Sequence, residues 1–297
     1  MADRQRGLLF AVSASLMFGL SPVFARLTVD FVNVETMNVL FTVFASLCFA
    51  VPFAAFHKGH FRSILENWRK VSLVSLLSAA GSMLFTYGIF LYGPVNAAFL
   101  IQFTSVFTIA FGVMFFKERF TRLEAAGILL AVVGVFVLAY GDLSLELVGS
   151  AVLLVAALLF ASANSLSKVY VKNLDPVAFA GGNSMFMLMF IFAFAVLTGT
   201  LETAFPSETL LYAFIGSVTG VVLSFALFFT ALRILDLSKA ATIRTMEPFL
   251  TAIFSFAILA LPPTANQLAG GAMIVIGVVV LSLTKGKQAS RPQQTST

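Results

Sequence analysis

The segment AGILLAVVGVFVL at residues 126–138 returns at residues 269–281 as AGGAMIVIGVVVL, an offset of 143 residues. Gly127 and Gly134 fall on Gly270 and Gly277, and both copies are otherwise almost entirely aliphatic. Continuous apolar blocks are typical of helices that cross a bilayer, whereas the strands of membrane barrels alternate apolar and polar residues. The two copies therefore predict an all-α integral membrane protein with an internal repeat.

The overall composition also indicates a membrane protein rather than a soluble domain. Apolar residues make up 60% of the 297 positions and charged residues 10%, against roughly a quarter charged in soluble domains. The basic residues that give a net charge of +5 are scattered between apolar runs, so we predict no nucleic-acid partner. Ten transmembrane helices are predicted at about 7–26, 36–56, 71–92, 95–116, 123–140, 147–169, 177–198, 210–232, 238–260 and 266–284.

The repeat extends well beyond the two quoted segments. Twelve identities join residues 97–138 to residues 240–281 without a gap. At an offset of 142, Phe18 falls on Phe160 and Arg26 on Lys168. Because five is an odd number, two halves of five helices insert with opposite orientations, an arrangement that recurs in secondary transporters. We predict repeats at 1–145 and 146–284, followed by a disordered cytoplasmic tail at 285–297.

The positions of the basic residues predict the orientation in the membrane. With a cytoplasmic N-terminus, sixteen of the 18 Lys and Arg residues fall on the inner side, while Arg26 lies at the outer side and Arg244 within a span. The first apolar run continues to Ala25 without a small-x-small cleavage site, so we expect no cleaved signal peptide. We predict a multi-pass protein of the inner (plasma) membrane with both termini in the cytoplasm.

Several segments carry motifs that are shared by the two halves of the chain. The stretch FGLSPVFAR at residues 18–26 and its echo at residues 160–168 resemble the pattern that opens each half of proteins of the drug/metabolite transporter superfamily, in particular its EamA-type exporters. Residues 97–134, which include Phe116-Lys117-Glu118, and residues 240–277, which include Glu247-Pro248, are similar to the superfamily's paired repeat domains. The resemblance covers almost the whole chain. It implies a ten-helix basket with a central cavity, and it looks most like the bacterial amino-acid exporters, including those for aromatic amino acids.

The two halves differ where the resemblance is otherwise strongest. Thr104-Ser105 stand at the positions of Glu247-Pro248, and Leu261-Pro262 stand at the positions of Glu118-Arg119. These differences argue against a two-fold symmetric binding chemistry.

Arg244 and Glu247 form the charged pair that falls well inside a predicted span. An ionisable side chain there costs about 2.5–3.5 kcal/mol on insertion scales and is a functional candidate by default. The i,i+3 spacing places both side chains on one helical face. Arg244 suits a substrate carboxylate and Glu247 an ammonium group, so that the pair suits a zwitterion. The alternatives are that the two charges neutralise each other, or that Arg244 snorkels to the cytoplasmic face.

Neutral polar residues and helix breakers complete the candidate set. Each polar side chain inside a span either binds substrate or hydrogen-bonds a neighbouring helix. The substrate-binding candidates of this kind are Asn38, Tyr87, Gln102, Asn164, Asn183 and Ser224. Pro22, with Gly19 beside it, and Pro248 predict kinks because proline removes a backbone N–H from the helix. Gly216 and Gly220 form a GxxxG pair that indicates close helix packing or a homodimer contact.

The predicted function is secondary transport by alternating access, with export of small metabolites and amino acids foremost, aromatic or of broad range. The alternatives are export of drugs or other metabolites, or a pore or channel. The sequence has no selectivity-filter-like loop or ring-forming acidic row, which favours a carrier. We predict no enzyme, cofactor or metal, since catalytic and phosphate-binding motifs are missing and His57 and His60 are too few for the usual metal site. The predicted partners are a small-molecule substrate and the lipid bilayer.

Overall fold

A computed structural model describes residues 2–56, 64, 66–116, 121–138, 143–170, 176–232 and 243–289. Within these ranges the chain is helical with short turns and contains no strand, which confirms the predicted all-α class. In the described residues the helices correspond to the ten predicted membrane spans, five in each repeat.

The helices follow the predicted apolar runs with small shifts at their ends. The first repeat contains α1 (Ala2–Val29), α2 (Val34–Phe56), α3 (Trp68–Leu100), α4 (Phe103–Phe116) and α5 (Arg122–Leu138). The second contains α6 (Leu143–Tyr170), α7 (Pro176–Leu197), α8 (Ser207–Ser217), a π-helical turn (Val218–Leu223), α9 (Ser224–Leu232), α10 (Glu247–Leu259) and α11 (Ala265–Ala289). Four of them, α1, α3, α6 and α7, contain single segments long and apolar enough to cross a membrane, and shorter apolar helices or consecutive pieces form the other spans.

The element α3 contains the third predicted span and the start of the fourth. A straight helix of its 33 residues would be about 50 Å long, well beyond the ~30 Å hydrocarbon core. The chain changes direction at Gly93, whose φ of 81° favours glycine, and Pro94 begins the next helical segment. The fourth span is interrupted again by a turn at Ile101 and Gln102, after which α4 begins.

Other differences from the prediction lie in the second repeat. The eighth span contains the π-helical turn between α8 and α9 instead of running as one α-helix. The last helix, α11, continues to Ala289, so residues 285–289 of the predicted disordered tail are helical. The added residues include good helix formers such as Lys, Gln and Ala, and the first proline after the span is Pro292. The remainder of that tail, residues 290–297, lies outside the described residues.

The two repeats meet along pairs of equivalent helices. In the contact of α5 with α11, a methyl group added at Gly134 would lie 2.7 Å from the carbonyl oxygen of Gly270. One added at Gly127 would lie 2.9 Å from the carbonyl oxygen of Gly277. The repeated glycines therefore let the two backbones touch, as small residues do between membrane helices. The equivalent helices α2 and α7 also pack on each other.

The first helix of each repeat packs within the other repeat. Helix α6 lies against α3 and α4, and α1 lies against α8, the π-helical turn, α9 and α10. Gly220 packs against Ser21 of α1, and Gly216 packs against Phe24 of α1 and Phe41 of α2; the Ser21 hydroxyl donates a hydrogen bond of 3.0 Å to the Gly216 carbonyl. The GxxxG pair thus serves packing within the chain. Because α1 packs in the second repeat, it lies beside the start of α10, where the charged pair lies.

Candidate functional site

The candidate site is built at an interruption of the ninth span. Ile243 and Arg244 are helical, Thr245 and Met246 form a turn, and α10 begins at Glu247. Pro248 occupies the first turn of α10, where a missing N–H costs no intrahelical hydrogen bond. In place of the predicted kink at Pro248, the structure has a tight turn just before the proline, in which the Met246 N–H donates to the Ile243 carbonyl and Met246 keeps right-handed helical backbone angles.

Arg244 and Glu247 contact each other across this break. The Arg244 Nε donates to Glu247 Oε1 at 2.6 Å, and Nη2 donates to Oε2 at 3.4 Å. The Glu247 side chain is 8% exposed and that of Arg244 is 31% exposed. Two parallel N–H···O bonds are the strong geometry for a guanidinium and a carboxylate. The same two groups, when separated, match the two charges of a zwitterion.

Two aromatic rings surround the guanidinium. The Arg244 Cζ lies 5.2 Å from the ring centroid of Phe18 on α1 and 4.8 Å from that of Phe228 on α9. Both distances are within the range of a cation–π interaction. The sequence offered no direct signal for Phe228 among 34 phenylalanines. The repeat does offer an indirect signal, because Phe228 falls on Phe85 at the 143-residue offset, so both halves have a ring at this position.

A narrow cleft adjoins the pair. It is lined by Ala14, Ser224, Phe228, Arg244 and Glu247, and these described side chains leave no space for a water molecule between them. Ser224 is the one neutral candidate that the structure brings to the pair, and its hydroxyl donates to the Gly220 carbonyl. The central cavity implied by the resemblance is thus represented beside the pair by this narrow cleft.

Gly19 brings α1 against the first turn of α10. A methyl group added at Gly19 would lie 2.9 Å from Leu250 Cβ and 3.2 Å from the carbonyl oxygen of Glu247. The Thr251 hydroxyl donates to the carbonyls of Gly19, at 2.9 Å, and Glu247, at 3.1 Å. Pro22 is buried one turn further along α1, which stays helical through it.

Asn38 and Asn183 lie away from the pair, between helices. The Asn38 Oδ1 accepts hydrogen bonds from Ser82 at 2.8 Å and from Thr86 at 3.4 Å, which joins α2 to α3. The Asn183 Oδ1 accepts one from Ser75 at 2.9 Å, which joins α7 to α3. Both side chains thus make the interhelical contacts that polar groups commonly make in membranes.

The remaining candidates are also outside the cleft. Tyr87 is 45% exposed and its ring contacts Phe90. Asn164 is exposed on α6. Gln102 lies in the turn that interrupts the fourth span, the position equivalent to the interruption at Thr245. His57 and His60 lie outside the described residues. In the described part of the chain no three His, Cys, Asp or Glu side chains come together as a metal site.

These features define the class of the protein. Inverted repeats of five helices, with an ion pair at a broken helix inside the membrane, are the architecture of a multi-pass membrane transporter. The chain belongs to the EamA-like transporter family, whose model matches residues 5–140 and 147–283, one segment in each repeat.

Individual relatives agree with this assignment. An "Uncharacterized transporter" of Methanothermobacter thermautotrophicus is 25% identical over 295 residues, which cover 93% of this chain and 85% of the relative. The "Uncharacterized transporter YcxC" of Bacillus subtilis (strain 168) is 26% identical over 306 residues, with coverages of 95% and 94%. A crystal structure of a protein at 15% identity has a TM-score of 0.68, covering 96% of this chain and 99% of that chain, and supports the fold alone.

Proposed function

We propose that this transporter exports small zwitterionic metabolites, amino acids foremost, by alternating access. The observation that carries the proposal is the Arg244–Glu247 pair, which lies at a break in the ninth span beside a cleft. The guanidinium supplies a paired set of donors for an α-carboxylate, and the carboxylate supplies an acceptor for an α-ammonium group. Aromatic or broad-range amino acids are the substrates that we would test first.

In this scheme the site has no net charge, either without substrate or with a bound zwitterion. Without substrate the two side chains neutralise each other, which limits the cost of holding charges in the membrane. A zwitterion replaces that single ion pair with two, one to each side chain. A molecule with only one charge would leave a buried charge unpaired, so the site discriminates by charge pattern.

Alternating access requires a movement that exposes the cleft to each side in turn. We infer a rocking of residues 1–145 against residues 146–297, the usual use of inverted repeats. The turns in the fourth and ninth spans support this inference, since i→i−3 hydrogen bonds replace part of the α-helical pattern there, as they do at many hinges. Gly19, Pro22 and Pro248 are the proposed hinge and kink positions. The proton gradient is a candidate driving force, with Glu247 as the proton carrier; the alternative is facilitated export.

The positive-inside bias supports an inner-membrane location with both termini in the cytoplasm. Single cysteines introduced into each terminal segment would be labelled by an impermeant maleimide only after the cells are opened. Labelling in intact cells would contradict this orientation. A homodimer would have to use a surface other than Gly216 and Gly220, which are covered by α1 and, at Gly216, also by Phe41 of α2.

Counterflow into proteoliposomes tests the substrate class. For each of the twenty amino acids, vesicles are loaded with the unlabelled compound and the labelled form of that compound is added outside. We expect saturable uptake for at least one of the twenty. Arg244→Lys is the matched variant, because it keeps the charge but loses the paired donor geometry, and it should lower uptake strongly. Absence of counterflow for all twenty would reject amino acids in favour of drugs or other metabolites. A large, non-saturating single-channel conductance would reject the carrier in favour of a pore.

A further inference from the structure

The surroundings of Arg244 come from three separate helical segments. Phe18 lies on α1 of the first repeat, Phe228 lies on α9 of the second, and Arg244 lies just before α10. Both ring centroids are within about 6 Å of the guanidinium carbon, so each ring adds to the attraction that holds the cation. The guanidinium is therefore fixed by two kinds of partner, one carboxylate and two aromatic faces.

The aromatic partners matter most when the carboxylate partner changes. In the proposed exchange, Glu247 releases Arg244 and takes the ammonium group of the substrate. At that moment a long, partly exposed arginine side chain is free to extend toward the nearest aqueous face. Phe18 and Phe228 do not take part in the exchange, and their attraction for the cation persists through it.

The repeat-equivalent rings provide an internal reference. Phe85 and Phe160, which correspond to Phe228 and Phe18, contact each other directly, with centroids 6.5 Å apart and planes at 72°. Ile101 stands at the position equivalent to Arg244. The same two ring positions therefore pack on each other in one half and hold a cation in the other.

We propose that Phe18 and Phe228 are positioning residues, which keep the Arg244 guanidinium in the cleft while its carboxylate partner changes from Glu247 to the substrate. This inference rests on the proposed function for its purpose, but the contact itself can be tested without any substrate.

A double-mutant cycle on thermal stability tests the contact. Phe228→Leu is measured in the natural chain and in a chain that carries both Arg244→Met and Glu247→Gln, where no cation remains. A cation–π contact predicts that Phe228→Leu lowers the Tm by about 2 °C more in the natural chain than in the neutral one. Phe228→Trp should keep the coupling, since tryptophan is the best aromatic partner for a cation. Equal Tm shifts in the two backgrounds would overturn the proposal.

Transport kinetics test the positioning role. With the amino acid that gives the fastest counterflow, Phe18→Leu and Phe228→Leu should each raise KM about tenfold and change the maximal rate much less. Phe228→Trp should restore KM, which a loss of mere packing volume would not predict. Phe85→Leu and Phe160→Leu are the matched controls, because they remove the same kind of ring contact without a cation, and they should leave KM unchanged.

The two hypotheses fail in different ways. If Arg244→Lys leaves transport intact, or if no amino acid is transported, the proposed function fails, and the stability cycle alone decides whether the rings hold the cation. If Arg244 is essential but neither phenylalanine variant changes KM, the positioning role fails and the proposed function stands.

Discussion

The interruptions of the fourth and ninth spans have similar backbones and different chemistry. A two-residue turn lies at Ile101 and Gln102 in the first repeat and at Thr245 and Met246 in the second, positions that coincide within one residue under the repeat. Only the second contains a proline and a charged pair, since Thr104-Ser105 replace Glu247-Pro248 in the first. The break thus belongs to the shared architecture and needs neither proline nor charge.

The threonines one turn later show the same contrast. Thr108 and Thr251 are repeat equivalents, and each donates to the carbonyl four residues earlier, that of Thr104 or of Glu247. Thr251 also donates to the Gly19 carbonyl on α1. The second break is therefore tied to the opposite repeat at the turn that carries Glu247. The two breaks therefore differ in their contacts with the opposite repeat as well as in their chemistry.

Separating the charged pair should give the largest effect. Arg244→Ala leaves the buried Glu247 carboxylate without its cation, which costs about 3–5 kcal/mol when the charge stays buried. We expect lost expression or a strongly lowered Tm by fluorescence scanning, together with loss of counterflow. The neutral double variant Arg244→Met with Glu247→Gln should recover the Tm but not transport. Recovery of transport in that variant would remove the pair from the site.

The second largest effect is expected from adding a methyl group to the glycine seam, the contact between α5 and α11 that is formed by Gly127, Gly134, Gly270 and Gly277. At Gly134 or Gly277, which are repeat equivalents, the new Cβ would press on backbone atoms of the partner helix, and overpacking of this kind costs roughly 1–3 kcal/mol. Because the two repeats make this contact in the same way, Gly134→Ala and Gly277→Ala should lower the Tm by similar amounts. Phe136→Leu, on an exposed position of the same helix, is the control and should have little effect. Very unequal shifts for the two glycines would show that the seam is not symmetric.

Removing the two threonine hydroxyls compares the breaks directly. Thr251→Val removes a hydroxyl proton that is shared between the Gly19 carbonyl on α1 and the Glu247 carbonyl, whereas Thr108→Val removes one that is donated to the Thr104 carbonyl. A net hydrogen bond contributes about 1 kcal/mol, so Thr251→Val, which also unties two helices, should be the more destabilising by a fraction of that amount. Its transport rate should fall as well, because α1 no longer fixes the turn beside Glu247. Identical results for the two valine variants would contradict the asymmetry.

The smallest effect is expected at the asparagines that join helices. Asn38→Ala and Asn183→Ala remove interhelical hydrogen bonds, which average about 0.6 kcal/mol in membrane proteins. Asn38 accepts from two hydroxyls and Asn183 from one, so the first should cost slightly more stability. Both should leave KM for a transported amino acid close to its original value. A raised KM at unchanged Tm would instead assign either side chain to the substrate.

Much of the fold is predictable from the sequence because the bilayer imposes simple rules. A backbone in hydrocarbon must satisfy its own hydrogen bonds, so each apolar run such as residues 126–138 becomes a helix. The ends of helices were less predictable. The extension of α11 to Ala289 carries no strong sequence signal, because a few more helical residues beyond the membrane cost little free energy when they are good helix formers.

The candidate site was only partly predictable. Arg244 and Glu247 stand out because charges are rare in an apolar span, and their spacing of three residues already places them on one face. Ser224 lies beside them in the cleft, whereas Asn38 and Asn183 contact neighbouring helices instead. A neutral polar side chain has the same appearance in the sequence whether it faces a cleft or another helix.

The sequence by itself therefore determined the membrane class, the inverted repeat and the position of the charged pair. Tertiary structure alone decided that Phe18 and Phe228 flank Arg244 and that Phe85 and Phe160 contact each other. In a soluble helix an apolar stripe reveals the buried face, but in a membrane both faces of a helix are apolar. A phenylalanine that contacts lipid therefore cannot be told in the sequence from one that contacts a cation. The packing of α1 against the opposite repeat decides this for Phe18.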